Sequence, residues 1–256
     1  DMSMLNFGTN NLSLSYFNAR QEVYLSNIKW RFLDIRGGLR NDIFDIRNIK
    51  SSNVIDEYDK TSLTNDFMSL FADGRTDTFD DGYFPTKGVN AGLSYAWTFA
   101  GIPEMINNFH TLQADAKLVV PGGDGFTFIP SFYCRFLMGK EIPLAYFNAI
   151  GGSLPGRFVD QQVPFIGLTN LVAMKNIMTM FRTDFRFEVA RNHYVTGTIN
   201  YVRDAETFRQ FGEGMGNFGA GVEYSYDTIF GPISVNVHWS DFTGKVGLYL
   251  SAGFNF

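Results

Sequence analysis

The sequence predicts an all-β protein, an antiparallel transmembrane barrel of the outer-membrane type with about 12–16 strands. Three observations carry this. The first is strict alternation in 217–256. Phe218, Ala220, Val222, Tyr224 and Tyr226 fall on one side of an extended chain, and Asn217, Gly219, Gly221, Glu223 and Ser225 on the other. The pattern resumes with Ile233, Val235, Val237 and Trp239 against Ser234, Asn236, His238 and Ser240, and again from Val246 to Phe256. The second is the character of the two faces. Aromatic residues crowd the ends of the apolar faces, as a membrane girdle requires, while the opposite faces carry small and ionisable residues suited to a wet lumen. The third is composition: 27 Phe, 12 Tyr and 26 Gly suit strands and tight turns better than helices. A soluble sandwich buries one face of each sheet and is the alternative.

The mean hydropathy of -0.08 does not oppose a barrel, since only alternate residues meet lipid. No apolar run reaches the roughly 18 residues of a transmembrane helix. The formal charge of -5 gives no reason to expect nucleic acid. The one cysteine, Cys134, leaves no internal disulfide and no thiolate zinc site. The chain opens at Asp1 with neither initiator methionine nor signal peptide, so it is expected to be the C-terminal part of a longer exported protein. Residues 1–256 are expected to form a single barrel domain.

In chain order, the first strands have poor boundaries: Leu12–Phe17, Glu22–Phe32 and Leu33–Phe44. In the third, Asp34, Arg36, Gly38, Arg40 and Asp42 share one face, and mixed-sign charges can pair across a hydrated lumen. The polar stretch 51–64 reads as a loop, and Asp66–Phe79 as a strand. Asp77, Asp80 and Asp81 lie close together but lack EF-hand spacing. Val89–Phe99 and Leu112–Val120 alternate cleanly, the latter with Gln113, Asp115 and Lys117 inward. The run from Pro121 to Gly125 is a tight turn, and Phe126–Met138 a strand in which Pro130 implies a bulge or an edge. Pro143–Ile150 reads as a shorter strand. The connection 151–167 is too apolar for disorder and is expected to be ordered and folded against the structure. Thr179–Val189 puts Met180, Arg182, Asp184, Arg186 and Glu188 inward, and Val195–Tyr201 precedes a polar loop over 203–216. These make about thirteen strands. Closed single-chain barrels usually take an even number, so either the N-terminal split is wrong or the first few strands are missing.

Several of these segments together resemble the C-terminal barrel of the bacterial surface antigen superfamily, which includes outer-membrane assembly and translocation proteins. Asp77-Thr78-Phe79-Asp80 followed by Phe84-Pro85-Thr86-Lys87-Gly88 looks like its DTRD…FPTRG signature. Gly219-Ala220-Gly221 through Gly231-Pro232-Ile233 looks like its glycine-rich penultimate element, with Ile229-Phe230 replacing the usual small-and-proline step. Phe254 and Phe256 look like the C-terminal assembly signal. The resemblance spans about residues 66–256. It implies a lumen loop whose Arg-Gly-aromatic tip pairs with acids on the wall. The corresponding stretch here is Gly156-Arg157-Phe158, with Arg and Gly transposed; Arg157 is the candidate tip and Asp184 or Glu188 its partner. The wording of 151–167 is most similar to barrels fused behind patatin-like phospholipases of Bacteroidetes-type bacteria.

No catalytic, cofactor or metal residues emerge. Gly151-Gly152-Ser153-Leu154-Pro155 breaks the Gly-x-Ser-x-Gly elbow at its last position, and His110, His193 and His238 have no metal spacing. Two functions are expected: an outer-membrane anchor or translocator for an upstream patatin-like lipid hydrolase, or an assembly and insertion barrel with upstream periplasmic modules. The partners implied are outer-membrane lipid, the barrel assembly machinery during biogenesis, and the hydrolase or the periplasmic modules; a homo-oligomer is left open.

Overall fold

A computed structural model describes residues 2–7, 10–30, 32–51, 63–102, 108–140, 142–152 and 161–253. Its strands are β1 (Met2–Phe7), β2 (Asn10–Trp30), β3 (Leu33–Ser51), β4 (Leu63–Asp77), β5 (Gly88–Ile102), β6 (Phe109–Gly123) and β7 (Phe126–Gly139). After a 3-10 turn (Leu144–Tyr146) come β8 (Asn148–Gly151), β9 (Gln162–Pro164), β10 (Leu171–Met174), β11 (Ile177–Ala190) and β12 (His193–Ala205). A one-turn helix, α1 (Phe208–Phe211), precedes β13 (Asn217–Thr228), β14 (Gly231–Ser240) and β15 (Val246–Ala252). All fifteen strands join one sheet. Eleven of them, β2–β7 and β11–β15, form an antiparallel wall in which β7 pairs directly with β11. Segment 140–176 is therefore an excursion between neighbouring strands, and its β10 pairs in parallel with β1 beyond the wall's β2 edge.

The wall has one outward and one inward face, as the alternation predicts. On β11, Phe181 is 56% exposed and its neighbour Met180 5%. Outward aromatics pack with tilted rings across the β7–β11 register: Phe126 against Phe187, Phe128 against Phe185 and Phe132 against Phe181, with centroids 4.8, 5.5 and 5.0 Å apart. Such pairs add about 0.5–1.5 kcal/mol each beyond the area they cover. Outward histidines join the girdles: His110 Nδ1 lies 2.8 Å from the Tyr95 hydroxyl, and His193 Nδ1 2.6 Å from that of Tyr224.

The two ends of the wall differ. At one end β6 and β7, β11 and β12, and β13 and β14 are joined by two-residue turns. Asp124 and Gly125 (φ 46° and 77°) supply the left-handed pair that a type I′ hairpin needs. The same end also carries the ten-residue connection 78–87, while the other end carries 52–62, 103–108, 140–176, 206–216 and 241–245, none of them a two-residue turn. Short turns face the periplasm and long loops the exterior in outer-membrane barrels, which orients the chain.

Several boundaries differ from the sequence reading. The candidates Leu12–Phe17 and Glu22–Phe32 belong, as far as Trp30, to one strand, β2, which runs unbroken between them and whose register to β3 shifts between Ser13 and Ser15 and between Leu25 and Ile28. Pro143–Ile150 is not one strand but a 3-10 turn followed by β8. Pro130 makes neither bulge nor edge: register to β11 runs through it unchanged. Pairing with β6 passes from Lys117–Ser131 to Val120–Phe128 in the same register, leaving the ladder thin where proline has no N–H to give.

Candidate functional site: the lumen and the segment folded into it

The inward faces of β2–β6 are charged, and their charges pair between strands. Arg20 Nε on β2 donates to Asp42 on β3 at 2.6 Å, and Arg40 Nε to Glu22 at 2.7 Å. Arg36 reaches Asp73 on β4 at 2.9 Å and Glu22 at 3.5 Å; Arg75 reaches Asp115 on β6 at 2.7 Å. The register dictates this, since Arg20 is opposite Asp42, Glu22 opposite Arg40, and Arg36 opposite Asp73. The pairs line a cavity of about 540 Å³, polar and roomy enough for water.

The inward face of β12–β14 is built differently. Gly219, Gly221, Asn200 and Ser240 leave a shallow surface, and the excursion lies on it. The Ile166 N–H donates to the Asn200 side chain at 2.7 Å, whose amide in turn donates to Gly219 O at 3.0 Å. The Ser240 hydroxyl donates to Gly167 O at 2.9 Å. A Cβ at position 219 would overlap Ile166 O, and one at 221 would come within 2.6 Å of Ile166 Cδ1. At 219 glycine is needed because the excursion's backbone occupies the space of a side chain; at 221 the neighbours are the tip of the Ile166 side chain and Val237 O of β14. Behind this contact Phe165, Leu168, Val172 and Met174 pack on Met178, Met180 and Val202 in an apolar core inside the wall.

The excursion spans the lumen from one wall to the other. At its start the Tyr146 ring meets Phe44, Phe67 and Phe109 edge-on at 5.3, 5.3 and 4.8 Å, and its hydroxyl donates to Asp42 at 3.2 Å. Its base is tied to β7. Asn148 Nδ2 donates to Lys175 O at 2.7 Å, and Asn148 Oδ1 accepts from the buried Arg135 at 2.8 Å. Arg135 also donates to Tyr146 O at 2.8 Å, and Leu137 N–H to Asn176 O at 2.9 Å. The ordered connection folded against the structure, expected from its composition, is thus present over its described parts, 151–152 and 161–167, and extends to 176; its place in the lumen is what the family resemblance implied. Tyr146, Asn148 and Ile166 were not singled out in the sequence. The signal that could have found Ile166 is the glycine pair on an inward face; nothing comparable marks Tyr146 or Asn148.

A second element enters the lumen from the short-turn end. In the connection 78–87, Arg186 donates to Pro85 O, and the Phe84 ring stacks on Tyr194 at 4.0 Å and 11°. The three aspartates hold this loop together by accepting hydrogen bonds within it. Asp77 accepts from Phe79 N–H (3.0 Å), Asp81 from Tyr83 and Phe84 N–H (2.8 and 2.7 Å), and Asp80 from Thr86 N–H and hydroxyl (2.8 and 2.6 Å). The Thr86 hydroxyl, joined by the Lys87 and Thr86 N–H groups, holds the Asp80 carboxyl down at about 2.

Of the predicted site residues, Gly156, Arg157, Phe158, Phe254 and Phe256 lie outside the described residues. Asp184 is buried on β11, accepting from Arg182 at 3.0 Å and from the Thr198 hydroxyl. Glu188 is exposed, four positions on, so about 13 Å away along the strand toward the short-turn end. One arginine cannot sit on both.

A family profile, that of the OMP85 superfamily, matches residues 1–256. The chain belongs to the OMP85 superfamily. Among solved structures it is similar to BamA from Haemophilus ducreyi lacking POTRA domains 1–3, at TM-score 0.65 and 14% identity, covering 94% of this chain and 53% of that one. The chain thus spans about half the length of that protein. No curated protein matches its sequence. An OMP85 barrel is a Gram-negative outer-membrane protein with a non-enzymatic fold.

Proposed function

We propose that this OMP85 barrel is an assembly or insertion device for outer-membrane polypeptides, with residues 1–256 as its single membrane domain and the C-terminal part of a longer protein. What supports this best is the excursion seated between the charged wall at Tyr146 and the glycine-lined wall at Ile166, which suits a barrel that handles chains at its wall better than a passive pore. Its partners are then periplasmic modules and the assembly machinery. The test is reconstitution of the full-length protein in vesicles with an unfolded outer-membrane barrel as client. Faster client folding than in empty vesicles is expected; equal rates overturn the proposal.

A second reading, a membrane anchor or translocator for a patatin-like lipid hydrolase, is favoured by the wording of 151–167. Intact mass and peptide mapping of the protein from its native membrane separate the two. A mass well above 28.9 kDa with a Gly-x-Ser-x-Gly peptide makes it a lipase anchor, whereas repeated small α/β modules make it an assembly barrel. In either case Arg157 is proposed as the tip that docks on Asp184 or Glu188. Arg157→Ala is expected to lower the heat and detergent resistance of the folded form, and unchanged resistance sinks the assignment.

A further inference from the structure

The connection 206–216 does not cover the lumen. It lies on the lipid side of the wall. The Phe208 ring of α1 meets outward Phe136 of β7 edge-on at 5.2 Å, and Gly216 N–H donates to the hydroxyl of outward Tyr201 at 3.1 Å. Phe208 is 57% exposed and Met215 97%. The carboxylates at the start of the loop turn toward the excursion: Asp204 accepts from Lys175 N–H at 2.8 Å, and Glu206 from the Asn176 amide at 3.3 Å. The cations stay outward. Arg203, two residues beyond Tyr201 on the same face of β12, lies over the Phe211 ring at 5.1 Å. Its Nε and Nη2 are covered and have no acceptor among the described residues. Arg209 is exposed on α1, as is Glu213 beyond it.

A guanidinium with unmet donors at the edge of an apolar band is costly unless an acceptor arrives from the membrane side. An amphipathic turn with apolar side chains and cations at this level is suited to a headgroup layer. By the orientation of the turns this is the outer leaflet, whose glycolipid carries phosphate. We propose that the 206–216 loop is a lipid-binding collar. Arg203, backed by Arg209, takes the phosphate of an outer-leaflet glycolipid, while Phe208 and Met215 enter its acyl region. The inference is independent of which cargo or enzyme the barrel serves.

The test is native mass spectrometry of the full-length protein in detergent, titrated with phosphorylated lipid A, enzymatically dephosphorylated lipid A, or phosphatidylglycerol. Phosphorylated lipid A is expected to bind roughly ten-fold more tightly than the dephosphorylated form, and the Arg203→Gln/Arg209→Gln variant to lose that preference. Arg203→Lys keeps the charge and is expected to retain most of it. Equal binding of the two lipid A forms by the wild type, an unchanged preference in the folded double variant, or a preference for phosphatidylglycerol overturns the proposal. If the double variant does not fold, the wild-type comparison and Arg203→Lys still decide.

Discussion

The two halves of the lumen solve the same problem in opposite ways. Both must keep polar groups satisfied inside a membrane. The β2–β6 half does so with side chains, pairing arginines and carboxylates across strands and leaving room for water. The β12–β14 half does so with backbone, stripping its inward positions to glycine and small polar residues so that residues 165–168 fit against the wall. Charge thus marks where the lumen stays wet, and glycine where it is packed dry.

The largest expected effect comes from breaking the dry side. Gly219→Ala drives a Cβ into Ile166 O, and overpacking of this kind costs about 3 kcal/mol. The excursion should be displaced, giving a higher planar-bilayer conductance and a lower unfolding temperature on semi-native gels. The matched control is Gly92→Ala on the wet side. There a Cβ meets the movable Asp115 carboxylate at 2.9 Å, and a change within about 0.5 kcal/mol is expected. Equal penalties at the two positions would erase the distinction between the walls.

A smaller effect is expected from Asp42→Ala. It removes the buried carboxylate that accepts from Arg20 and Tyr146, one link in a network, and about 2 kcal/mol is expected after allowing for the solvent around the partly exposed Arg20. Urea unfolding in micelles reads it. Asp42→Asn should recover part, because the amide still accepts a hydrogen bond.

The smallest effect is confined to the 78–87 loop. Asp80 titrates at about 2 in the folded loop and at an ordinary 3.8 when released. A depressed carboxyl contributes order above its released value, and that contribution is lost as pH falls from 3.8 toward 2. Amide exchange at Thr86 and Lys87, corrected for intrinsic rates, should be unchanged at pH 5 and accelerated below pH 3; in Asp80→Ala it should be fast at both.

The wall was legible in the sequence because lipid and water impose a period of two on every strand that separates them. Phe181 and Met180, or Val237 and His238, could be sorted by parity alone. The excursion was legible only in outline, since its position depends on contacts distant in sequence: Tyr146 with Phe44 and Phe67, or Ile166 with Asn200. Parity assigns a face but not a partner. The inward glycines 219 and 221 were read as part of a polar lumen, although their meaning is steric. Arg203 escaped for a related reason: the polar look of 203–216 hides that the loop folds outward over Tyr201 and Phe136.

Because β7 and β11 are hydrogen-bonded neighbours, and Asn148 and Asn176 fasten the excursion at its root, residues 140–176 behave as an interchangeable cartridge. Its length and contents can change by insertion or deletion without re-registering a single strand of the wall. One chassis can therefore diversify what occupies its interior while leaving its fit to the membrane intact.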